Sequence, residues 1–114
     1  MFNQLYDKRI ICSEILLGMY SITKAGFISM TKGFARELAA KKIRVNALLP
    51  GLTKTDLSKA LFEMDEIRQH VIAEIPLQRH AEPHEMAGAV LYLVSDAASF
   101  TTGICLTCDG GYLA

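Results

Sequence analysis

Ile43-Arg44-Val45-Asn46-Ala47-Leu48-Leu49, closed by Pro50-Gly51, is short and largely apolar. A buried strand that runs into a loop has this form, because a strand covered on both faces shows no polar alternation and Pro-Gly punctuates its end. Upstream, Phe27, Met30, Phe34 and Leu38 recur at three- and four-residue steps, with Lys32, Arg36, Glu37 and Lys41 among the positions between them. That period predicts an amphipathic helix over about 20–40. Downstream, Leu57, Leu61, Met64, Ile67, Val71 and Ile75 repeat the helical spacing until Pro76 ends or kinks it. Glu82-Pro83-His84-Glu85 then reads as the start of a third helix running to about Ser95, since Pro is tolerated in a first turn and acidic side chains complement the N-terminal dipole. Ser99 to Gly103 is a polar turn, Ile104 to Cys108 a second short strand, and Asp109-Gly110-Gly111 a tight turn that needs positive φ.

The order helix, strand, helix, helix, strand predicts an α/β fold whose two strands, joined by a long crossover, run parallel with a right-handed connection. Two parallel strands make a poor sheet alone, so the segment is expected to be part of a larger sheet. Residues 1–16 hold no sustained period and predict at most a short strand or turn around Ile10-Ile11-Cys12. At 114 residues with 51% hydrophobic side chains the chain can bury a core, but its length suits one domain. Twelve basic residues balance twelve acidic ones, which leaves no net field to draw in a nucleic acid or an anionic membrane surface. No apolar run approaches the roughly 20 residues of a membrane span, and the N-terminus makes a poor signal peptide. A cytoplasmic location follows as the expectation, and the three cysteines, Cys12, Cys105 and Cys108, are expected to be reduced thiols.

Tyr20-Ser21-Ile22-Thr23-Lys24 places a phenol and an ammonium one helical turn apart on the same face. A phenol exchanges protons near neutral pH only where a neighbouring cation favours its ionised form, so Tyr20 beside Lys24 is a candidate general acid/base. The spacing also fits an ordinary helix N-terminus with an exposed lysine, and alone it carries little weight.

Taken with its surroundings it carries more. Tyr20 to Gly26, the helix that follows, Ile43-Arg44-Val45-Asn46 and Pro50-Gly51-Leu52-Thr53-Lys54-Thr55 closely resemble the C-terminal half of the short-chain dehydrogenase/reductase family. Glu82-Pro83-His84-Glu85-Met86-Ala87, Ser95-Asp96-Ala97-Ala98-Ser99, Thr102-Gly103 and Asp109-Gly110-Gly111 resemble its last helix, loop, final strand and closing turn. The resemblance covers about 17–114 and implies the C-terminal part of a Rossmann-like doubly wound parallel sheet, incomplete, with residues 1–16 left unassigned. It implies an NAD- or NADP-dependent oxidoreductase acting on a small alcohol or carbonyl substrate, as a homo-oligomer. By carry-over, Tyr20 exchanges the proton with the substrate oxygen, and Lys24 assists Tyr20 and binds the nicotinamide ribose. The loop from Pro50-Gly51 lies along the nicotinamide, with the Thr53 backbone and the Thr55 hydroxyl near its carboxamide. The family's Gly-x-x-x-Gly-x-Gly turn, which cradles the pyrophosphate, occurs nowhere in these residues. Nor does the catalytic serine fall at its usual distance before the tyrosine: Ser13 lies seven residues ahead of Tyr20 and takes no role.

The expectation is therefore a truncated or partial chain without the nucleotide-binding half, inactive by itself. The rival is a non-catalytic remnant that serves as an interaction or oligomerisation module. The segment 57–75 can be plain core or, as the resemblance implies, a mobile lid over the substrate. A small redox or metal protein is disfavoured: Cys105 and Cys108, three apart on a strand, point to opposite faces. Pro83 likewise disfavours a helix that would bring His80 and His84 onto one metal. No metal site is expected.

Overall fold

The structure, a computed structural model, describes residues 18–56, 58 and 63–114. The strand or turn expected at Ile10–Cys12, and Leu57, Leu61 and Phe62 of the second helical stretch, lie outside those residues. Their contacts group the chain into two compact units. The first holds helix α1 (Gly18–Leu38), the approach to the first strand and Thr102–Cys105. The second holds Leu48–Thr101 and Leu106–Tyr112.

In the first unit α1 runs the length predicted and tightens into a 3-10 turn at Ala39–Lys41. Lys42 closes the end in the left-handed conformation (φ 59°), which lets its N–H and that of Ile43 reach the Ala39 and Leu38 carbonyls at 2.9 and 3.3 Å. The helix buries a small-residue seam, with Ser21, Thr31 and Ala35 each at most 7% exposed. A Cβ on Gly103 (φ +76°) would sit 3.3 Å from that of Ala35, so glycine here permits both the turn and the close approach. Phe27, Met30 and Phe34, the predicted apolar stripe, are exposed.

The sheet is α/β and parallel as expected, with β1 (Ala47–Pro50) paired to β2 (Cys105–Cys108). Its register is read from Ala47 N–H to the Ile104 carbonyl and Gly51 N–H to the Cys108 carbonyl, both 2.9 Å. The strand expected from Ile43 begins only at Ala47: before that point one main-chain bond, Gly103 N–H to the Val45 carbonyl (2.7 Å), is joined by side-chain bonds in place of a regular ladder. The Val45 N–H donates to the Thr102 hydroxyl (3.1 Å), and the Asn46 carboxamide oxygen accepts from the Ile104 N–H (3.2 Å).

In the second unit helix α2 spans Asp65–Ala73, so the helical stretch expected to reach Ile75 ends two residues earlier. The Gln78 carboxamide donates to the Ala73 and Ile75 carbonyls (3.2 and 2.9 Å) and terminates it ahead of Pro76. Ile75, the last residue of the predicted period, lies beyond the helix and is 2% exposed. Pro83–Met86 forms a 3-10 turn that leads into α3 (Ala87–Val94), the third predicted helix. The Asp109–Gly111 turn has the predicted positive φ at Gly110 (69°) and Gly111 (90°), and the Asp109 carboxylate accepts the Gly111 N–H at 2.9 Å. The turn lies against the Ile75–Leu77 segment, with the Leu77 N–H on the Gly110 carbonyl at 3.1 Å. No described helix is long and apolar enough to cross a membrane.

Candidate functional site

The predicted site residues fall into two groups. Tyr20 and Lys24 share the first turns of α1 in the first unit, whereas Pro50, Gly51, Thr53 and Thr55 line one loop of the second.

The four-residue spacing does what it promised: the Lys24 ammonium lies over the Tyr20 ring, 5.1 Å from its centroid, and 5.6 Å from that of Phe27. Both distances are within the roughly 6 Å at which a cation is attracted to an aromatic face. The ammonium thus lies near the faces of two rings, those of Tyr20 and Phe27. Tyr20 is 54% exposed, so a reacting group can reach it.

In the second unit the loop leaves β1 at a point that admits only glycine. A Cβ on Gly51 would sit 2.6 Å from the Asp109 Cα and 2.7 Å from its Cβ. Beyond it the Thr53 hydroxyl donates to the Gly51 carbonyl (3.0 Å). Ser58 then closes the loop, its hydroxyl donating to the Thr53 carbonyl (2.8 Å), meeting the Thr55 hydroxyl at 3.2 Å and accepting the Thr55 N–H at 2.9 Å. Sequence reasoning passed over Ser58, although Thr-x-x-Ser is a spacing at which hydroxyls close turns.

It also passed over the second support of this loop. Thr53 forms a parallel bridge with Ala81, whose N–H donates to the Leu52 carbonyl (2.9 Å) and whose carbonyl accepts the Lys54 N–H (3.0 Å). Around Ala81 the Arg79 guanidinium makes two parallel bonds to the Glu85 carboxylate, 2.8 and 2.7 Å, and a third to the His80 carbonyl at 3.1 Å. Glu85 also accepts the Glu82 N–H at 2.8 Å. These bonds, Arg79 foremost, hold the Glu85 carboxyl down at about 2, and Glu85 in turn raises Arg79. Glu82-Pro83-His84-Glu85 is legible as a helix start, but an arginine six residues before the glutamate matches no helical period. A cleft of about 310 Å³ opens in this unit among Leu52, Leu77, Ala81, Met86 and the Asp109–Gly110 turn, with Arg79 and Glu85 on its polar wall. Cys105 and Cys108 are free thiols on β2, and among the described residues no three metal-ligating side chains cluster.

A parallel strand pair flanked by helices, its first strand running into a glycine turn, is part of an α/β fold. The chain belongs to the short-chain dehydrogenase/reductase family: the model of its enoyl-(acyl carrier protein) reductase group matches residues 11–113. The 3-oxoacyl-(acyl-carrier-protein) reductase FabG of Aquifex aeolicus is 46% identical over 92 residues, which are 81% of this chain and 36% of that protein. Among solved structures, a short-chain type dehydrogenase/reductase from Mycobacterium ulcerans superimposes with a TM-score of 0.85 at 34% identity, covering 94% of this chain and 39% of that one. A 2-deoxy-D-gluconate 3-dehydrogenase from Agrobacterium tumefaciens with bound NADP gives 0.80 at 37% identity, with 82% and 38% covered. The chain thus spans just over a third of the length of the relatives it matches. The fold is part of their Rossmann-type sheet, and NAD(P) is the family's cofactor, bound as NADP or NADH in solved members.

Proposed function

We propose that this chain supplies the proton-transfer pair and the nicotinamide-facing loop of an NAD(P)-dependent oxidoreductase that interconverts a small alcohol and its carbonyl, with 17–114 forming the C-terminal half of that domain and 1–16 unassigned. The observation that carries the reading is the Lys24 ammonium held over the Tyr20 ring at 5.1 Å. Tyr20 gives its phenolic proton to the carbonyl oxygen in reduction and takes it back in oxidation. Lys24 stabilises the negative charge left on the Tyr20 oxygen and offers its remaining N–H groups to the ribose hydroxyls. The Pro50–Gly51 loop offers the Thr53 backbone and the Thr55 hydroxyl to the carboxamide. This donor set, one ammonium and a short polar loop, suits the nicotinamide end of the cofactor. When bound, the cofactor supplies the hydride as NAD(P)H in reduction and accepts it as NAD(P)⁺ in oxidation.

The 114 residues hold no glycine turn to receive a pyrophosphate, so by themselves they bind NAD(P)H no more tightly than roughly millimolar and turn nothing over. Low-micromolar affinity in isothermal titration would overturn that part. For the whole reading the test is kinetic: with a nucleotide-binding half of the family joined to it, the chain consumes NAD(P)H with a panel of aldehydes and ketones, and Tyr20→Phe loses on the order of 10²–10⁴ in kcat. Near-normal turnover by that variant would remove Tyr20 from the mechanism. A cytoplasmic setting belongs to the same reading, in keeping with the free thiols Cys105 and Cys108.

A second reading has its own observation. Met19, Ile22, Phe27, Met30 and Phe34 of α1 are all at least 43% exposed, an apolar face suited to a second copy of the chain. A homo-oligomer, or a remnant that only assembles, presents that face to its partner.

A further inference from the structure

The loop assigned to the nicotinamide must present Thr53 and Thr55 in one orientation, yet little within the loop fixes it. Its internal bonds run from Thr53 to Gly51 and from Ser58 to Thr53 and Thr55, and they shape the loop without tying it to the rest of the unit. The tie comes from Ala81. Its N–H and carbonyl engage Leu52 and Lys54, the residues on either side of Thr53. In a parallel bridge the residue opposite directs its own N–H and C=O to the other edge. Ala81 therefore dictates which way the Thr53 backbone faces.

What holds Ala81 is a bracket of side chains. Arg79 and Glu85 stand on either side of it in sequence, and their two-pronged bond closes the segment into a loop. The third Arg79 bond, to the His80 carbonyl, fixes the backbone immediately before Ala81, and the Glu85 bond to the Glu82 N–H fixes it immediately after. A guanidinium forked onto a carboxylate adds geometric constraint that a lysine, a single point charge, does not. The side chains are 54% and 31% exposed, so the pair contributes little to global stability and its effect is local order.

We propose that Arg79, seated on Glu85, is a positioning residue for the cofactor loop: the bracket from 79 to 85 holds Ala81 against Leu52 and Lys54 and so sets the orientation in which Thr53 and Thr55 meet the nicotinamide. The assignment of that loop rests on the function proposed above; the bracket itself does not. Amide hydrogen exchange on the 114-residue chain tests the bracket directly. Arg79→Lys and Glu85→Gln are each expected to speed exchange at Lys54 and Ala81 by about two- to fivefold, with the sheet amides of Ala47 and Gly51 unchanged. Arg79→Met should exceed Arg79→Lys, since lysine restores the charge without the fork. Unchanged exchange at Lys54 and Ala81, or equal acceleration at all four amides, would overturn the proposal. In the chain joined to a nucleotide-binding half the same variants are expected to raise the KM for NAD(P)H several-fold while kcat stays within about twofold; a fall in kcat at constant KM would also overturn it. Failure of the functional reading shows separately, as wild-type protein without NAD(P)H-dependent turnover, whatever the exchange data give.

Discussion

Replacing Gly51 by alanine inserts one methyl group where the structure has no room for it. The added Cβ would meet the Asp109 Cα at 2.6 Å, the Asp109 Cβ at 2.7 Å and the Asp109 carbonyl carbon at 3.3 Å. Two of the three are main-chain atoms, so no side-chain rotation relieves the contact. Either the Pro50–Thr55 loop or the Asp109 turn must move, and the Gly51 N–H bond to the Cys108 carbonyl moves with it. Overpacking of this kind costs about 1–3 kcal/mol. Alanine returns roughly 0.4–1 kcal/mol by restricting the unfolded chain, which leaves a net loss of about 1–2 kcal/mol. With a denaturant slope near 1 kcal/mol/M for a small chain, the urea midpoint followed by circular dichroism should fall by roughly 1–2 M. Gly26→Ala is the matched control: it lies inside α1 with nothing within 4 Å of its added methyl. There the change should stabilise, by about 0.5–1 kcal/mol, through helix propensity alone. A Gly51→Ala midpoint at or above wild type would refute the packing argument, and matching shifts in both variants would show that backbone entropy, not contact, governs both positions.

Gly110→Ala combines positive φ (69°) with a contact of 2.8 Å to the Ile75 Cγ2, so thermal unfolding should reveal a loss of about 1–3 kcal/mol. The Glu85 carboxyl is held at about 2, below its ordinary 4.5. Its small contribution is therefore complete above pH 4.5 and fades as the pH falls toward 2, and amide exchange at Ala81 should show an acid-dependent loss of protection in wild type that Glu85→Gln lacks. Lys24→Ala should raise the KM for NAD(P)H and lower kcat together, unlike Tyr20→Phe, whose defect is in kcat; identical defects would contradict the separate roles. Light scattering should find the 114-residue chain associated through the exposed face of α1, and Phe27→Glu with Phe34→Glu should shift it toward monomer; a monodisperse wild-type monomer with strongly protected amides at Ala47 and Leu49 would refute association.

Features that depend on neighbours in sequence were legible before any coordinates. The Tyr20–Lys24 juxtaposition follows from helical pitch, the Asp109–Gly111 turn from glycine's access to positive φ, and α1 from the period of Phe27, Met30 and Phe34. That period located the helix without saying what covers it: the residues α1 buries are Ser21, Thr31 and Ala35, and at Ala35 the close approach of Gly103 leaves room only for a small side chain. The Gln78 side chain caps the Ala73 carbonyl where α2 ends, and ahead of β1 the Thr102 hydroxyl and the Asn46 carboxamide supplement a single main-chain bond from Gly103 to Val45. Pro50-Gly51 announced a loop from composition alone. Its orientation depends on Ala81, and Ala81 depends on Arg79 and Glu85 meeting around it. Propensity and periodicity record what a residue does to its own backbone; a bridge between Thr53 and Ala81, or a methyl group excluded by Asp109, exists only once folding has brought distant segments together.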